Sequence, residues 1–219
     1  MMKQFLAALL LLSSASVSAN AAEPASNRAG IDWSGLFIGL QAGHLDGTSH
    51  QQRGAPGTVN RYIDFDGGFA GASIEYLWQE GDFVFGPQAE IAWASTDQDF
   101  PAGNNRFLSG VEWFGSAGGK AGMAFDNVLL FGTAGFAFAG ITGGQWNTFL
   151  ARHWSDVELN TGYSVGGGVD LMLQDDWVIG AEYRHYNFGE TNYGPAPSFQ
   201  ARTQETDFNA VSFRLRKKY

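Results

Sequence analysis

The chain has no cysteine, which excludes a disulfide framework. Charge is scarce too, at 16% of 219 residues, and basic residues are the scarcer kind, with Lys+Arg 13 against Asp+Glu 22. An acidic balance argues against a nucleic-acid partner. Past the N-terminus no segment reaches the roughly 18 consecutive apolar residues of a helical membrane span. The mean hydropathy of −0.16 is mildly polar. Other residues are in excess. There are 30 glycines, 18 phenylalanines, 7 tryptophans and 7 tyrosines, and the glycine share is close to double the usual ~7%.

The pattern is clearest in Thr161–Gly189. Tyr163, Val165, Gly167, Val169, Leu171 and Leu173 alternate with Gly162, Ser164, Gly166, Gly168, Asp170 and Gln174. After Asp175-Asp176, Trp177, Ile179, Ala181 and Tyr183 alternate with Gly180, Glu182, Arg184 and Tyr186. Period two on both sides of a two-residue turn predicts a β-hairpin. Each arm exceeds the usual strand of about 5–6 residues. A tilted strand needs roughly 9–11 residues to cross a bilayer, so the length predicts a transmembrane barrel.

The N-terminus reads as a secretory signal: Lys3, an apolar core over Phe5–Leu12, and Ala19-Asn20-Ala21 as the cleavage site. The expected domains are a signal peptide over residues 1–21, a short polar periplasmic tail over 22–32 and a barrel over 33–219, with cleavage after Ala19 as the alternative. Losing Lys3 leaves 12 basic residues against 22 acidic ones, a net charge of −10.

Eight strands follow from the alternation. They cover Trp33–Leu45, Ile63–Trp78, Phe83–Ser95, Gly110–Phe125, Val128–Thr142, the two arms of the Thr161–Gly189 hairpin, and Thr206–Tyr219. Pro87 interrupts the third and predicts a bulge or a missing ladder bond. The fifth is apolar on both faces, so its facing is ambiguous. Short turns at Gln79–Asp82, Asp126-Asn127 and Asp175-Asp176 alternate with long polar loops at Asp46–Tyr62, Thr96–Ser109, Gly143–Asp156 and Glu190–Glu205. This predicts an all-β, eight-stranded antiparallel up-and-down transmembrane barrel in the cell outer membrane, with periplasmic turns and termini and extracellular loops. Trp33, Trp78, Trp93, Trp113, Trp177 and Tyr219 fall near strand ends, as an interfacial girdle requires.

An eight-stranded barrel is narrow enough for side chains to fill. The polar parity puts Glu75, Glu90, Glu112, Lys120, Asp170, Glu182, Arg184, Arg214 and Arg216 in the lumen, where opposite charges pair into a polar plug.

Asp32-Trp33-Ser34-Gly35-Leu36-Phe37-Ile38-Gly39 resembles the opening strand of the small eight-stranded outer-membrane proteins of alphaproteobacteria, the "porin family proteins". Trp113–Ser116 and Phe125–Gly135 are similar to that family's central hairpin, and Thr161–Gly189 to its next one. The resemblance covers nearly all of Trp33–Tyr219. It implies an OmpA-like barrel folded by the barrel-assembly machinery. It also implies a role as a structural surface protein or antigen, a weak porin or, in some members, a hemin binder. The assembly signal would be Phe213, Leu215 and Tyr219, with Tyr219 where the family usually ends in Phe. Outer-membrane lipids and lipopolysaccharide are the expected surroundings, with the chain as a monomer.

Chemical motifs add little. Gly162-Tyr163-Ser164-Val165-Gly166 matches a hydrolase elbow but lacks the following helix, and Gly118-Gly119-Lys120 is no phosphate loop. No enzyme, metal or cofactor is expected. His50 and His153, in outer loops, are the candidates for a hemin ligand, against the plainer reading of solvated histidines. Asp64, Asp66, Asp97 and Asp99 form acidic pairs near strand tops, weak candidates for a divalent cation against the plainer reading of solvated loops.

Overall fold

The computed structural model describes residues 31–53, 60–98, 105–147, 152–193 and 202–219. The expected signal peptide and most of the tail, and Asp99, lie outside them. Eight antiparallel strands close on themselves: β1 Gly35–Arg53, β2 Asn60–Glu80, β3 Phe83–Gln98, β4 Asn105–Phe125, β5 Val128–Asn147, β6 Arg152–Met172, β7 Trp177–Tyr193 and β8 Arg202–Lys218. Each pairs with its sequence neighbours, and β8 closes onto β1 from Phe37↔Lys218 to Arg53↔Arg202.

The outer wall carries the apolar parity. Leu40, Trp93, Phe136, Leu159 and Phe213 are each over 60% exposed there. For β5 the ambiguity resolves with Leu129, Phe131, Thr133, Ala137, Ala139 and Ile141 buried, and Leu130 and Phe136 outward.

Strands are longer than the alternation predicts, at 16 to 21 residues. The "loop" residues Asp46–Arg53 continue β1, paired to both β2 and β8. At that end both faces are polar, so the period-two signal fades while the backbone ladder continues.

The opposite end is made of tight turns. Gly81 (φ 62°) and Asp126 (φ 53°) supply the left-handed residues of the first two. The β6–β7 turn has three residues, Gln174–Asp176, where the sequence suggested two. Leu173 N–H donates to Trp177 O at 2.7 Å, and Asp175 (φ 58°) and Asp176 (φ 61°) are both left-handed. At Pro87 pairing with β2 lapses between Glu75↔Gln88 and Trp78↔Phe85 but keeps its register, so bonds are missing and no bulge forms. Bulges occur elsewhere, in β4 between Val111 and Trp113 and in β7 between Phe188 and Thr191.

Candidate functional site: a charged belt inside the barrel

The lumen is layered. In its middle, β2, β3, β4, β6, β7 and β8 each send in at least one charged side chain. Lys120 Nζ donates to Glu75 at 3.0 Å and to Asp170 at 2.6 Å. Arg216 pairs with the same two carboxylates, and Arg214 reaches Asp170 at 3.6 Å and Glu182 at 2.8 Å. Arg184 then links Glu182 and Glu90, each at 2.6 Å. Thr133 donates to Glu182, Ser116 and Tyr186 donate to Glu90, and Arg184 donates to Ser116.

Four carboxylates (Glu75, Glu90, Asp170, Glu182) thus meet four cations (Lys120, Arg184, Arg214, Arg216), all buried. A neutral set is what a low-dielectric interior demands, because one unmatched charge there is costly. Two glycines make room: a Cβ at Gly39 would overlap Arg216, and one at Gly180 would overlap Asp170. The space left among Gln41, Glu90, Glu182, Arg184 and Tyr186 is ≈ 10 Å³, about enough for one water.

Apolar layers close both sides of the belt. Toward the long connections lie Leu45, Phe65, Phe69, Val111, Phe114, Tyr186, Phe188 and Phe208. Tyr186 and Phe208 stack at 4.8 Å, and Phe114 meets both edge-on at 5.2 Å. Toward the turns lie Phe37, Leu77, Val84, Leu129, Phe131, Met172, Val178 and Trp33.

Trp33 corrects the girdle expectation. It is 1% exposed, inside the turn-end mouth, with the other girdle residues on the outer wall. The chain runs on beside β2 in the same register: Gly35 (φ 138°), where a side chain would be strained, pairs with Leu77, and Trp33 lies beside Gln79 with the lumen-facing parity of Phe37 and Gln41. Trp33 N–H donates to Gln79 Oε1 at 2.7 Å, and Gln79 N–H donates to Ser34 Oγ at 3.1 Å. Asp32 accepts from the Ser34 N–H at 2.8 Å and lies 3.6 Å from Lys218 Nζ. Burial works to raise the Asp32 carboxyl, but Ser34 and Lys218 together hold it below its ordinary value.

Eight of the nine residues expected in the lumen are brought together in the belt. Glu112 is not. The β4 bulge adds it as an extra residue, so Val111 turns inward and Glu112 outward, where it is exposed and accepts from Thr142 Oγ1 at 2.7 Å. Sequence reasoning missed Ser116, Thr133 and Tyr186 as belt partners, although Tyr186 shares the parity of Glu182 and Arg184.

His50 stacks on Tyr62 at 4.5 Å, and its Nε2 is shielded and has no hydrogen-bond partner among the described residues. His153 falls in β6, and its side chain lies outside the described residues, as does that of Asp97. Asp64 accepts from Thr48 at 2.9 Å and Asp66 lies 3.8 Å from His44. Among the described residues no three such side chains gather into a metal-binding group. Ser164 is buried and β6 runs on past it to Met172. Phe213, Leu215 and Tyr219 all point outward.

A family model of the outer membrane protein beta-barrel domain matches residues 6–216. The 31 kDa outer-membrane immunogenic protein of Brucella melitensis biotype 1 is 26% identical over 178 residues, 74% of this chain and 74% of that protein. The 22 kDa outer membrane protein of Rhizobium leguminosarum bv. viciae is 26% identical over 163 residues, 74% of this chain and 67% of that one. Among solved structures, the outer membrane protease OmpT from Escherichia coli superposes with a TM-score of 0.54 at 10% identity, over 84% of this chain and 97% of that one. At that identity the likeness is one of fold.

Proposed function

Because the chain belongs to the outer-membrane β-barrel family, we propose that it acts in the cell outer membrane as a closed structural barrel, whose lumen is a plug and whose long connections present a surface to the exterior. The observation that carries this reading is the belt: four cations on four carboxylates between two apolar layers. An ion crossing the lumen would have to displace paired charges and then pass stacked aromatic rings. The names of the Brucella relatives, outer-membrane immunogenic proteins, support a surface role. No reaction is assigned, since the buried Ser164 within a continuing strand offers no nucleophile elbow.

The test is single-channel recording of the full mature chain in a planar bilayer. A silent bilayer, with heat-modifiable gel migration showing a folded barrel, supports the plug. Reproducible conductance steps overturn it and make the protein a narrow porin. A second reading, a hemin or adhesive receptor, draws on His50, whose Nε2 lacks a hydrogen-bond partner among the described residues. Hemin titration of the wild type against a His50→Ala/His153→Ala variant decides it, and equal binding by both removes these histidines from consideration.

A further inference from the structure

The β6–β7 turn carries an arrangement that the plugged lumen does not use. Beside it on the outer wall, Leu173, Trp177 and Leu215 line an apolar groove that ends at Gln174. These three are 43%, 43% and 46% exposed. Lys217 lies directly across the β7–β8 seam from Trp177, its Nζ 5.7 Å from the ring centroid. The same ammonium donates to the backbone oxygen of Asp175. Asp175 and Asp176 are exposed, and their left-handed backbone fixes them at the tip of the turn. Of the other described cations near this end, Lys218 is turned toward Asp32, and Lys120, Arg214 and Arg216 lie in the lumen. Lys217 is left on the wall.

Short turns face the periplasm, so this groove lies in the inner, phospholipid leaflet. There the apolar strip meets acyl chains, and the charged tip meets headgroups. The tip holds both signs within one turn: a cation beside the groove and two carboxylates beyond it.

We propose that this is a binding site for a phospholipid with a primary-ammonium zwitterionic headgroup, of the phosphatidylethanolamine type. Its phosphate meets Lys217, its ammonium meets Asp175 and Asp176, and an acyl chain lies along Leu173, Trp177 and Leu215. An anionic headgroup satisfies Lys217 but confronts both carboxylates. A quaternary headgroup carries the right charges but has no N–H to donate to them. The site is independent of whether the lumen conducts.

Native mass spectrometry tests this on the barrel purified from outer membranes in mild detergent, with phosphatidylethanolamine, phosphatidylglycerol and phosphatidylcholine added in equal amounts. The wild type should retain phosphatidylethanolamine over phosphatidylglycerol by on the order of fivefold, the scale of one exposed charge pair. Asp175→Asn/Asp176→Asn keeps the turn, because asparagine tolerates positive φ, and should level the two lipids. Lys217→Gln should lower retention of both. Equal retention of all three lipids by the wild type, or a preference the aspartate variant leaves unchanged, overturns the proposal. If Lys217→Gln does not assemble, the aspartate variant, which keeps the cation, decides alone.

Discussion

Arg184 on β7 and Glu90 on β3 meet across the lumen at 2.6 Å, although 94 residues separate them in sequence. Their pairing joins one wall of the barrel to the far one. Arg184→Met leaves Glu90 buried without its cation, at a cost of about 3–5 kcal/mol. Adding Glu90→Gln removes the orphan charge, and the double variant should recover much of that loss. The midpoint of heat-modifiable gel migration checks this. A double variant no more stable than Arg184→Met alone would show that charge matching is not what the belt supplies.

Trp33 closes the turn-end mouth from the inside. Trp33→Ala should cost about 3–5 kcal/mol, the usual range for a buried tryptophan. Trp33→Phe should cost less, since Trp33 Nε1 has no hydrogen-bond partner among the described residues to lose. The chain lacks cysteine, so a single Ala124→Cys in the same apolar layer gives a clean reporter. It should resist a water-soluble thiol reagent in the wild-type background and react in the Trp33→Ala background. Equal labelling rates would refute closure by this residue.

Asp32 anchors that closure and makes it sensitive to acid. Its folded pKa is held below the ordinary value, so its contribution is fully present above the unfolded value of about 3.9. It is lost as pH falls through the folded value. The carboxylate is largely exposed, so the effect is local. The Ser34 amide resonance, followed by NMR in lipid nanodiscs, should titrate with a midpoint below about 3.9, and Asp32→Asn should abolish the transition. A midpoint at or above that value would contradict the anchoring.

The Thr161–Gly189 hairpin was legible because lipid and lumen impose opposite chemistry on alternate residues. The same logic placed Glu75, Glu90, Lys120, Asp170, Glu182, Arg184, Arg214 and Arg216 inside. It failed where the contrast between faces fades. Asp46–Arg53 reads as loop because both faces of β1 are polar there, yet its ladder to β2 and β8 continues. Trp33 reads as a girdle residue because an aromatic at a strand end fits an interfacial belt, although its parity is that of Phe37 and Gln41 on the lumen face. Which cation meets which carboxylate depends on register and barrel closure, neither of which is written in any single strand.

Glu112 and Glu182 make the sharpest contrast between pattern and structure. Both carry the polar parity of their strands, counted from Lys120 and Arg184. The bulge between Val111 and Trp113 shifts Glu112 to the outer wall, where it accepts from Thr142. Glu182 keeps Arg184, Arg214 and Thr133. Glu112→Ala should therefore change stability by no more than about 0.5 kcal/mol, as for an exposed substitution. Glu182→Ala strands part of two arginines and should cost about 3–5 kcal/mol. Gel-migration midpoints of the two variants, measured side by side, separate the readings. Similar losses would place Glu112 back in the lumen and remove the bulge as the cause of its orientation.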